Sequence, residues 1–348
     1  MTGALGLAVL LLVALIVMGV VGPVVLAAAR PHLAGHPRAA IAVIGALAAA
    51  WIIGLAAVGP AIAWAVSGPA LVPGAAGAVC QQCLVAANPF SSQPLHAGVP
   101  SAVLLGASAL VLATIAVSVL RELLVRSPRV CRASGSAADA GTPVTIAGVR
   151  VRIVDSPATF VFALPARCGG ITLSRGALSL LDEDELRAVV AHETVHLAHR
   201  HHLIAAVATG VTAPLRWVPF LAACTRMILE LLEIDADAGA LREAGTTALV
   251  SALVKLQDDA ACPGTAASSH SGADVPSAGV LFALGSGPWH SSDATGPSAR
   301  VRSLLGADAR PRRWPTAGLA VFAAPMTVAG AGVHVAGAAA LLNGCALV

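Results

Sequence analysis

The pattern His-Glu-x-x-His occurs in the stretch Ala191-His192-Glu193-Thr194-Val195-His196-Leu197. On a helix, residues four apart share a face, so His192 and His196 can present two imidazoles to one metal ion. Glu193 follows His192 directly and can act as general base toward a water molecule at that metal. The stretch therefore predicts one zinc ion per chain with Glu193 as the catalytic residue. The alternative is a pair of surface histidines on a charged helix, and a third ligand would decide against it.

The charge distribution outside this stretch predicts a membrane protein. The chain has 348 residues, of which 57% are hydrophobic and only 11% are charged, whereas an ordinary soluble domain is about one quarter charged. Arg30 and Arg38 are the only charged residues before Leu120, and no charged residue follows Pro315. All the others lie between these two apolar parts, as expected for a polar domain inserted before a last membrane span. No basic stripe is present, so direct binding to nucleic acid is not expected.

Four apolar runs are long enough to cross a bilayer, which requires about 20 residues. They cover residues 4–29, 39–66, 101–120 and 316–342. The first run carries no basic residue before it, so we interpret it as a retained span, although Ala27-Ala28-Ala29 leaves signal-peptide cleavage open. We predict three membrane helices within residues 1–120, a polar domain over residues 121–315, and a fourth helix within residues 316–348.

Basic residues predict the orientation of these spans, because cytoplasmic loops are enriched in Lys and Arg. Arg30 and Arg38 lie in the first loop, and Arg121 follows the third run, whereas residues 67–100 contain no Lys or Arg. We therefore predict a multi-pass protein of the cell membrane with the first loop and the polar domain in the cytoplasm. The second loop and both termini are predicted outside.

The polar domain begins with strand signals and continues with helices. Apolar and polar residues alternate along residues 144–154 on both sides of Ala147-Gly148, a pattern typical of a β-hairpin. Residues 159–164 and 170–174 are further short strand candidates. Asp182 is a predicted helix N-cap with Glu185 as its capping-box partner, so the His-Glu-x-x-His helix is predicted from Glu183 to about His202. A second helix is predicted over residues 220–244. Residues 258–298 are predicted to be a flexible segment.

The acidic stretch Glu233-Ile234-Asp235-Ala236-Asp237 supplies a candidate third ligand. Its apolar flanks predict a mostly buried helix, in which unpaired carboxylates are costly and a divalent metal would compensate them. We predict Glu233 as the ligand, with Asp237 on the same face orienting one of the histidines. Asp235 faces elsewhere and is predicted to be a surface or capping residue. His199, His201 and His202 are predicted to face the interface or solvent.

The two motifs together resemble those of the gluzincin membrane peptidases, in which His-Glu-x-x-His is followed by Glu-x-x-x-Asp. Two branches are similar: the HtpX/CAAX-prenyl type and the BlaR/MecR antirepressor type. The resemblance runs from about Phe160 to Ala244 and implies a mainly α-helical membrane protein with about four transmembrane helices and an inserted α+β, zincin-like metallopeptidase domain. It also implies that residues 170–174 form an edge strand able to bind an extended peptide. An ordinary sheet strand is the simpler interpretation and is compatible with this role, because strand addition needs only an uncovered edge.

Three spans, a cytoplasmic domain and a fourth span correspond to the BlaR/MecR arrangement. The penicillin-binding sensor domain of that branch is absent after the fourth run, so β-lactam sensing is not expected to carry over. HtpX-like proteins instead tend to place a membrane hairpin between the motifs. The spacing from His196 to Glu233 is too short for two complete spans. Residues 203–224 are therefore predicted to lie along the interface or to pack in the domain.

The resemblance implies thermolysin-like chemistry, in which Glu193 takes a proton from water and later delivers it to the leaving amine. The chain has no tyrosine, so the oxyanion must be stabilised by another group. Arg300 lies in a stretch resembling the late Arg-Ile-x-x-Leu-Leu segment of these families. His290 and His270 are further candidates, although each is more simply a loop histidine.

Cys80 and Cys83 lie three positions apart on the predicted outer loop and can form a disulfide there or remain free thiols. His334 lies within the last apolar run, where a neutral histidine bonded to a neighbouring helix is the simpler interpretation.

Two functional hypotheses follow. The first is a zinc endopeptidase embedded in the bilayer that cleaves a cytoplasmic or membrane-proximal protein, such as a transcriptional regulator, or acts in HtpX-like quality control. The second is a non-proteolytic signal transducer with a structural metal site. A structural site has no need of Glu193, so the sequence favours the enzyme.

Overall fold

The computed structural model describes residues 2–67, 101–126, 141–165 and 169–261. The described helices are α1 (Thr2–Leu33), α2 (Pro37–Ser67), α3 (Ser101–Arg121), α4 (Arg175–Leu180), α5 (Glu183–Ala198), α6 (His201–Thr212) and α7 (Pro219–Ala261). The strands are β1 (Thr142–Ile146), β2 (Val149–Val154), β3 (Val161–Ala163) and β4 (Ile171–Ser174). Short π and 3₁₀ turns cover Glu122–Arg126 and Ala213–Leu215.

Three helices are long and apolar enough to cross a membrane. Their apolar segments are Ala8–Leu33, Pro37–Ile62 and Gly106–Val125, which correspond to the first three predicted spans. α1 and α3 leave many aliphatic side chains exposed, including Leu10 and Leu110, as lipid-facing helices do. The fourth predicted span, residues 68–100 of the predicted outer loop and most of segment 258–298 lie outside the described residues.

The strands form a four-stranded sheet of order β1-β2-β4-β3. β1 and β2 pair antiparallel through Ala147 and Gly148, whose φ angles of 48° and 78° are both left-handed, as a two-residue hairpin turn requires. This hairpin lies where the alternating sequence predicted it. β2 then pairs parallel with β4, and β3 pairs antiparallel with β4.

The position of β4 corrects one expectation. The resemblance implied that residues 170–174 form an edge strand, but β4 lies between β2 and β3 and is buried along its whole length. The short apolar run Ile171–Leu173 is suited to a central strand because both faces of the strand are covered. The edges of the described sheet are β1 and β3.

α5 begins where its capping signals place it. The Asp182 carboxylate accepts from the Glu185 backbone N–H at 2.9 Å, and the Glu185 carboxylate accepts from the Asp182 N–H at 2.8 Å. The helix ends at Ala198, earlier than the predicted end near His202, because Arg200 adopts a left-handed conformation with φ of 52°. That residue separates α5 from α6 and turns the chain.

Residues 203–224 form most of a helical hairpin that packs against the membrane helices. α6 has 12 residues and is therefore about 18 Å long, too short for the roughly 30 Å hydrocarbon layer. Gly210 of α6 lies against the backbone of Val119 in α3, and Phe220 of α7 covers Gly22 of α1. α6 is thus too short to span by itself, and the segment shares one apolar core with the three candidate spans.

α7 connects this membrane-associated core to the part of the chain that carries α5. Its amino-terminal part contacts α1 and α2, and its later part packs along α5. Gly239 faces Val195 of α5 so closely that a Cβ at position 239 would overlap the valine side chain. Gly245, with φ of 82°, bends the helix near the predicted end at residue 244. α5 and α7 are thereby brought into close contact at the two motifs.

Candidate metal centre

Three side chains from α5 and α7 converge on one point. The Nε2 atoms of His192 and His196 lie 3.1 Å apart. Each of them lies 3.6 Å from a carboxylate oxygen of Glu233, Oε2 for His192 and Oε1 for His196. Ligand atoms bound to one tetrahedral zinc ion at about 2.0–2.2 Å lie roughly 3.3 Å from one another. The spacing therefore fits a zinc ion, and two histidines with one glutamate form a donor set of catalytic zinc sites.

Glu193 lies between the two histidines in sequence and is partly exposed on α5. As the residue after His192, it stands about 100° round the helix from that ligand. A carboxylate at this position can reach water beside the three converging groups. The arrangement is suited to general-base chemistry.

Asp237 lies one helical turn after Glu233 and is buried. Its Oδ1 atom lies 3.1 Å from Nδ1 of His192, the ring nitrogen that does not face Glu233. A carboxylate there favours the tautomer with a proton on Nδ1, which leaves Nε2 free to bind a metal. The structure thus places Asp237 where it can orient His192.

A second layer of polar residues lies behind His196, and the sequence predictions for two of its members were wrong. His201 is only 3% exposed and Asp235 only 6%, so neither is a surface residue. Nδ1 of His201 lies 2.9 Å from Nδ1 of His196, and Nε2 of His201 lies 3.3 Å from Oδ2 of Asp235. Glu233 and Asp237 were identified because carboxylates on a mostly buried helix need compensation, and the same argument holds for Asp235.

Asp235 also contacts two groups nearer the surface. Nδ1 of His199 lies 2.5 Å from Oδ2 of Asp235, and the Arg38 guanidinium donates to the same carboxylate at 3.3 Å. Arg38 additionally contacts the His199 ring. Arg38 belongs to the first turn of α2, so this layer includes a residue of the membrane part.

The electrostatics of this layer are consistent with an ionised Asp235 beside a neutral His201. Burial by itself would raise the pKa of Asp235, but the hydrogen bond from His199 and the charge of Arg38 outweigh it and hold that pKa below its ordinary value. Burial lowers the pKa of His201, and the nearby Asp235 carboxylate only partly opposes this effect.

The remaining predicted site residues lie outside the described residues. They are Arg300, His290 and His270 as oxyanion candidates, Cys80 and Cys83 as a possible disulfide, and His334 in the last apolar run. Their roles stay predictions.

Comparison with known proteins supports the chemistry that this geometry suggests. Residues 131–256, which include both motifs, match peptidase family M48. The chain is 35% identical over 72 residues to a protease HtpX homolog of Methanothermobacter thermautotrophicus, covering 21% of this chain and 27% of that protein. It is 40% identical over 52 residues to a protease HtpX homolog of Thermoplasma acidophilum, covering 15% and 16%. No solved structure matches at a comparable level.

These matches support a membrane metallopeptidase similar to HtpX. The family match covers residues 131–256, and the chain spans about a quarter of one relative and a sixth of the other. The mainly helical architecture with three candidate membrane helices is compatible with this assignment. The resemblance to the BlaR/MecR branch in particular receives no support from them.

Proposed function

We propose that the protein is a membrane-embedded, zinc-dependent endopeptidase that binds one zinc ion per chain through His192, His196 and Glu233. The observation that carries the proposal is the convergence of two Nε2 atoms and one carboxylate, 3.1 and 3.6 Å apart, beside Glu193. A carboxylate next to a closed structural site would have no chemical purpose, whereas beside an open three-ligand site it can take a proton from the bound water.

A zinc ion held by these ligands would polarise the scissile carbonyl and acidify the attacking water. Glu193 accepts a proton from that water while the water oxygen bonds to the carbonyl carbon. The protonated Glu193 then delivers the proton to the amide nitrogen, so the carbon–nitrogen bond breaks and a free amine leaves. Asp237 keeps the His192 proton on Nδ1 throughout. The group that stabilises the oxyanion is proposed among Arg300, His290 and His270.

The substrate is proposed to be an extended protein segment in the cytoplasm or at the membrane surface. β1 and β3 are both edges of the described sheet, and we place the peptide on β3 because it contacts α5 more extensively than β1 does. Strand addition there would lay a peptide main chain alongside the helix that carries His192 and His196.

The placement of the peptidase part in the cytoplasm, over about residues 121–315, and of both termini outside is proposed from the arginine distribution. The HtpX-like matches favour a quality-control protease over cleavage of a specific transcriptional regulator, the alternative that the BlaR/MecR resemblance suggests. A reporter fused after residue 348 should be accessible from outside intact cells. A cytoplasmic signal would overturn this orientation.

Replacement of Glu193 by Gln tests the reaction. We expect the purified full chain and the variant to bind one zinc ion each, with casein hydrolysis at least about 100-fold slower in the variant because the general base is lost. Glu183→Gln is the matched control, since this exposed glutamate lies in the first turn of the same helix. Equal hydrolysis in wild type and Glu193→Gln would exclude the proposed catalytic role. Zinc binding without any wild-type hydrolysis would favour the signal transducer.

A further inference from the structure

The two histidines of the metal centre are supported in different ways. Nδ1 of His192 faces a carboxylate directly, whereas Nδ1 of His196 faces Nδ1 of His201 at 2.9 Å. A histidine that binds a metal through Nε2 is neutral and carries its proton on Nδ1. His196 must then donate from Nδ1, and the partner nitrogen of His201 must accept.

This requirement fixes the proton on the second ring. If Nδ1 of His201 accepts, the neutral ring carries its proton on Nε2. That nitrogen lies 3.3 Å from Oδ2 of Asp235, a carboxylate that can accept it. The direction of donation therefore runs from His196 to His201 and on to Asp235.

The outer end of this chain of contacts is held by the membrane part. Asp235 is buried, and its carboxylate also contacts the His199 ring and accepts a hydrogen bond from the Arg38 guanidinium. Arg38 lies at the start of α2, 197 positions away from Asp235 in the sequence. A displacement of α2 relative to α7 would remove a donor from the carboxylate that orients His201.

We propose that His201 and Asp235 are positioning residues for His196, and that Arg38 couples their arrangement to the membrane helix α2. The proposal rests on the proposed function, because it assumes that His196 binds zinc. His201 fixes the tautomer and orientation of His196, Asp235 fixes those of His201, and Arg38 fixes the Asp235 carboxylate. The membrane helices thereby contribute to the metal site as well as anchoring it.

A second metal ion is the competing interpretation, because ligand atoms of His199, His201 and Asp235 lie within 4.8 Å of one another. The Arg38 guanidinium, however, contacts both Asp235 and His199. A positive side chain already compensates the carboxylate, and a divalent ion beside it would be repelled. The geometry therefore favours an arginine-anchored network over a second metal site.

Two replacements of His201 separate positioning from space filling. The Asn oxygen lies near the position of Nδ1 and can accept from His196, whereas the Gln amide reaches the position of Nε2 and leaves no acceptor at Nδ1. Changes behind metal ligands cost about 10–100-fold in affinity, so we expect zinc binding at least about 10-fold weaker in His201→Gln and within about threefold of wild type in His201→Asn. Chelator competition on the purified full chain measures both.

The Asn and Gln variants also give a spectroscopic readout. With Co²⁺ in place of zinc, we expect an altered visible spectrum for His201→Gln and a wild-type spectrum for His201→Asn. Equal zinc affinity in both variants and wild type, or equal losses in both, would overturn the positioning role. Wild-type protein that binds no zinc would instead overturn the proposed function, so the two failures are distinguishable.

Arg38 provides a second arm that does not depend on a buried substitution, because its side chain is 63% exposed. We expect Arg38→Ala to weaken zinc binding several-fold, roughly 3–10-fold, at the low end of such indirect effects. Arg30→Ala is the matched control: this arginine lies in the last turn of α1 and pairs with Glu230 on α7 rather than with Asp235. Equal affinity in both alanine variants, or two zinc ions per wild-type chain, would overturn the coupling.

Discussion

The two parts of α7 are buried in different surroundings. The part from Pro219 to about Ile234 belongs to the core shared with the membrane helices, where Leu221 and Leu231 are almost fully covered. The part beyond Asp237 packs on α5, where Ala240, Leu249 and Ala252 are covered. Glu233 and Asp237 lie at the boundary between these two cores.

This difference shows how one helix can hold a metal ligand in register with α5 while belonging to the membrane part. A ligand on a surface helix would depend on one core only. The position of Glu233 depends on two cores, and each core contains one close contact with a glycine. Phe220 lies against Gly22 on the membrane side, and Val195 lies against Gly239 on the peptidase side. Substitutions on either side should therefore have different consequences.

The largest expected difference is between two buried leucines of α7. Leu249→Ala should cost about 2–5 kcal/mol, because it loses transfer free energy from water and leaves a cavity. Leu221→Ala should cost less, because lipid or detergent is as apolar as the side chain and mainly packing is lost. Thermal unfolding of both variants in the same detergent measures the difference. A larger loss for Leu221→Ala would contradict the assignment of that part of α7 to a lipid-surrounded core.

The next effect separates stability from metal binding. A Cβ at Gly239 would overlap Val195 and push α5 from α7, and one at Gly22 would overlap the Phe220 ring. Overpacking of this kind costs about 1–3 kcal/mol. We expect Gly239→Ala to weaken zinc binding by moving Glu233 away from the histidines, and Gly22→Ala to lower thermal stability with zinc affinity near wild type. Chelator competition measures the first effect and thermal unfolding the second.

Equal weakening of zinc binding by the two glycine variants would show that the two cores do not act separately on the site. Unchanged zinc binding in Gly239→Ala, with the protein still folded, would show that the contact with Val195 does not set the distance between the motifs.

The sequence was informative wherever the determinants are local. The spacing of His192 and His196 on one helix, the capping residues of α5 and the hairpin at Ala147-Gly148 depend on neighbours within a few positions. The acidic stretch could be linked to the histidines because carboxylates on a buried helix need compensation.

The remaining features depend on tertiary docking. The contact between Arg38 and Asp235 joins residues 197 positions apart, and no local pattern encodes it. The order β1-β2-β4-β3 depends on a parallel pairing that short apolar runs do not specify. One signal was available in the sequence, however: Arg30 and Arg38 are the only charged residues among the first 120. In the structure both form ion pairs with acidic residues of α7.

The smallest expected effect concerns the polar contact that ties the later part of α7 to α5. The buried Glu185 accepts from Lys255 at 2.7 Å and from Ser251 at 2.5 Å. Burial alone would raise the pKa of Glu185, but these hydrogen bonds, that from the Asp182 backbone and the charge of Lys255 outweigh it, so the pKa lies below its ordinary value. An acid with a lowered folded-state pKa stabilises the fold above its unfolded value, about 4.3, and loses that contribution as pH falls through the folded value.

Glu185→Gln keeps an acceptor for the capping box but removes the charge, so we expect a loss of about 1–2 kcal/mol at pH 7. Below about pH 4.3 the wild-type advantage should shrink as pH falls through the folded-state pKa, because the wild-type carboxylate becomes protonated and the amide does not titrate. Unfolding temperatures of wild type, Glu185→Gln and the exposed control Glu183→Gln, measured between pH 3.5 and 7, test this. A difference between wild type and Glu185→Gln that stays constant over that range would mean that the ion pair with Lys255 does not hold the two helices together, leaving the apolar contacts of Leu249 and Ala252 to do so.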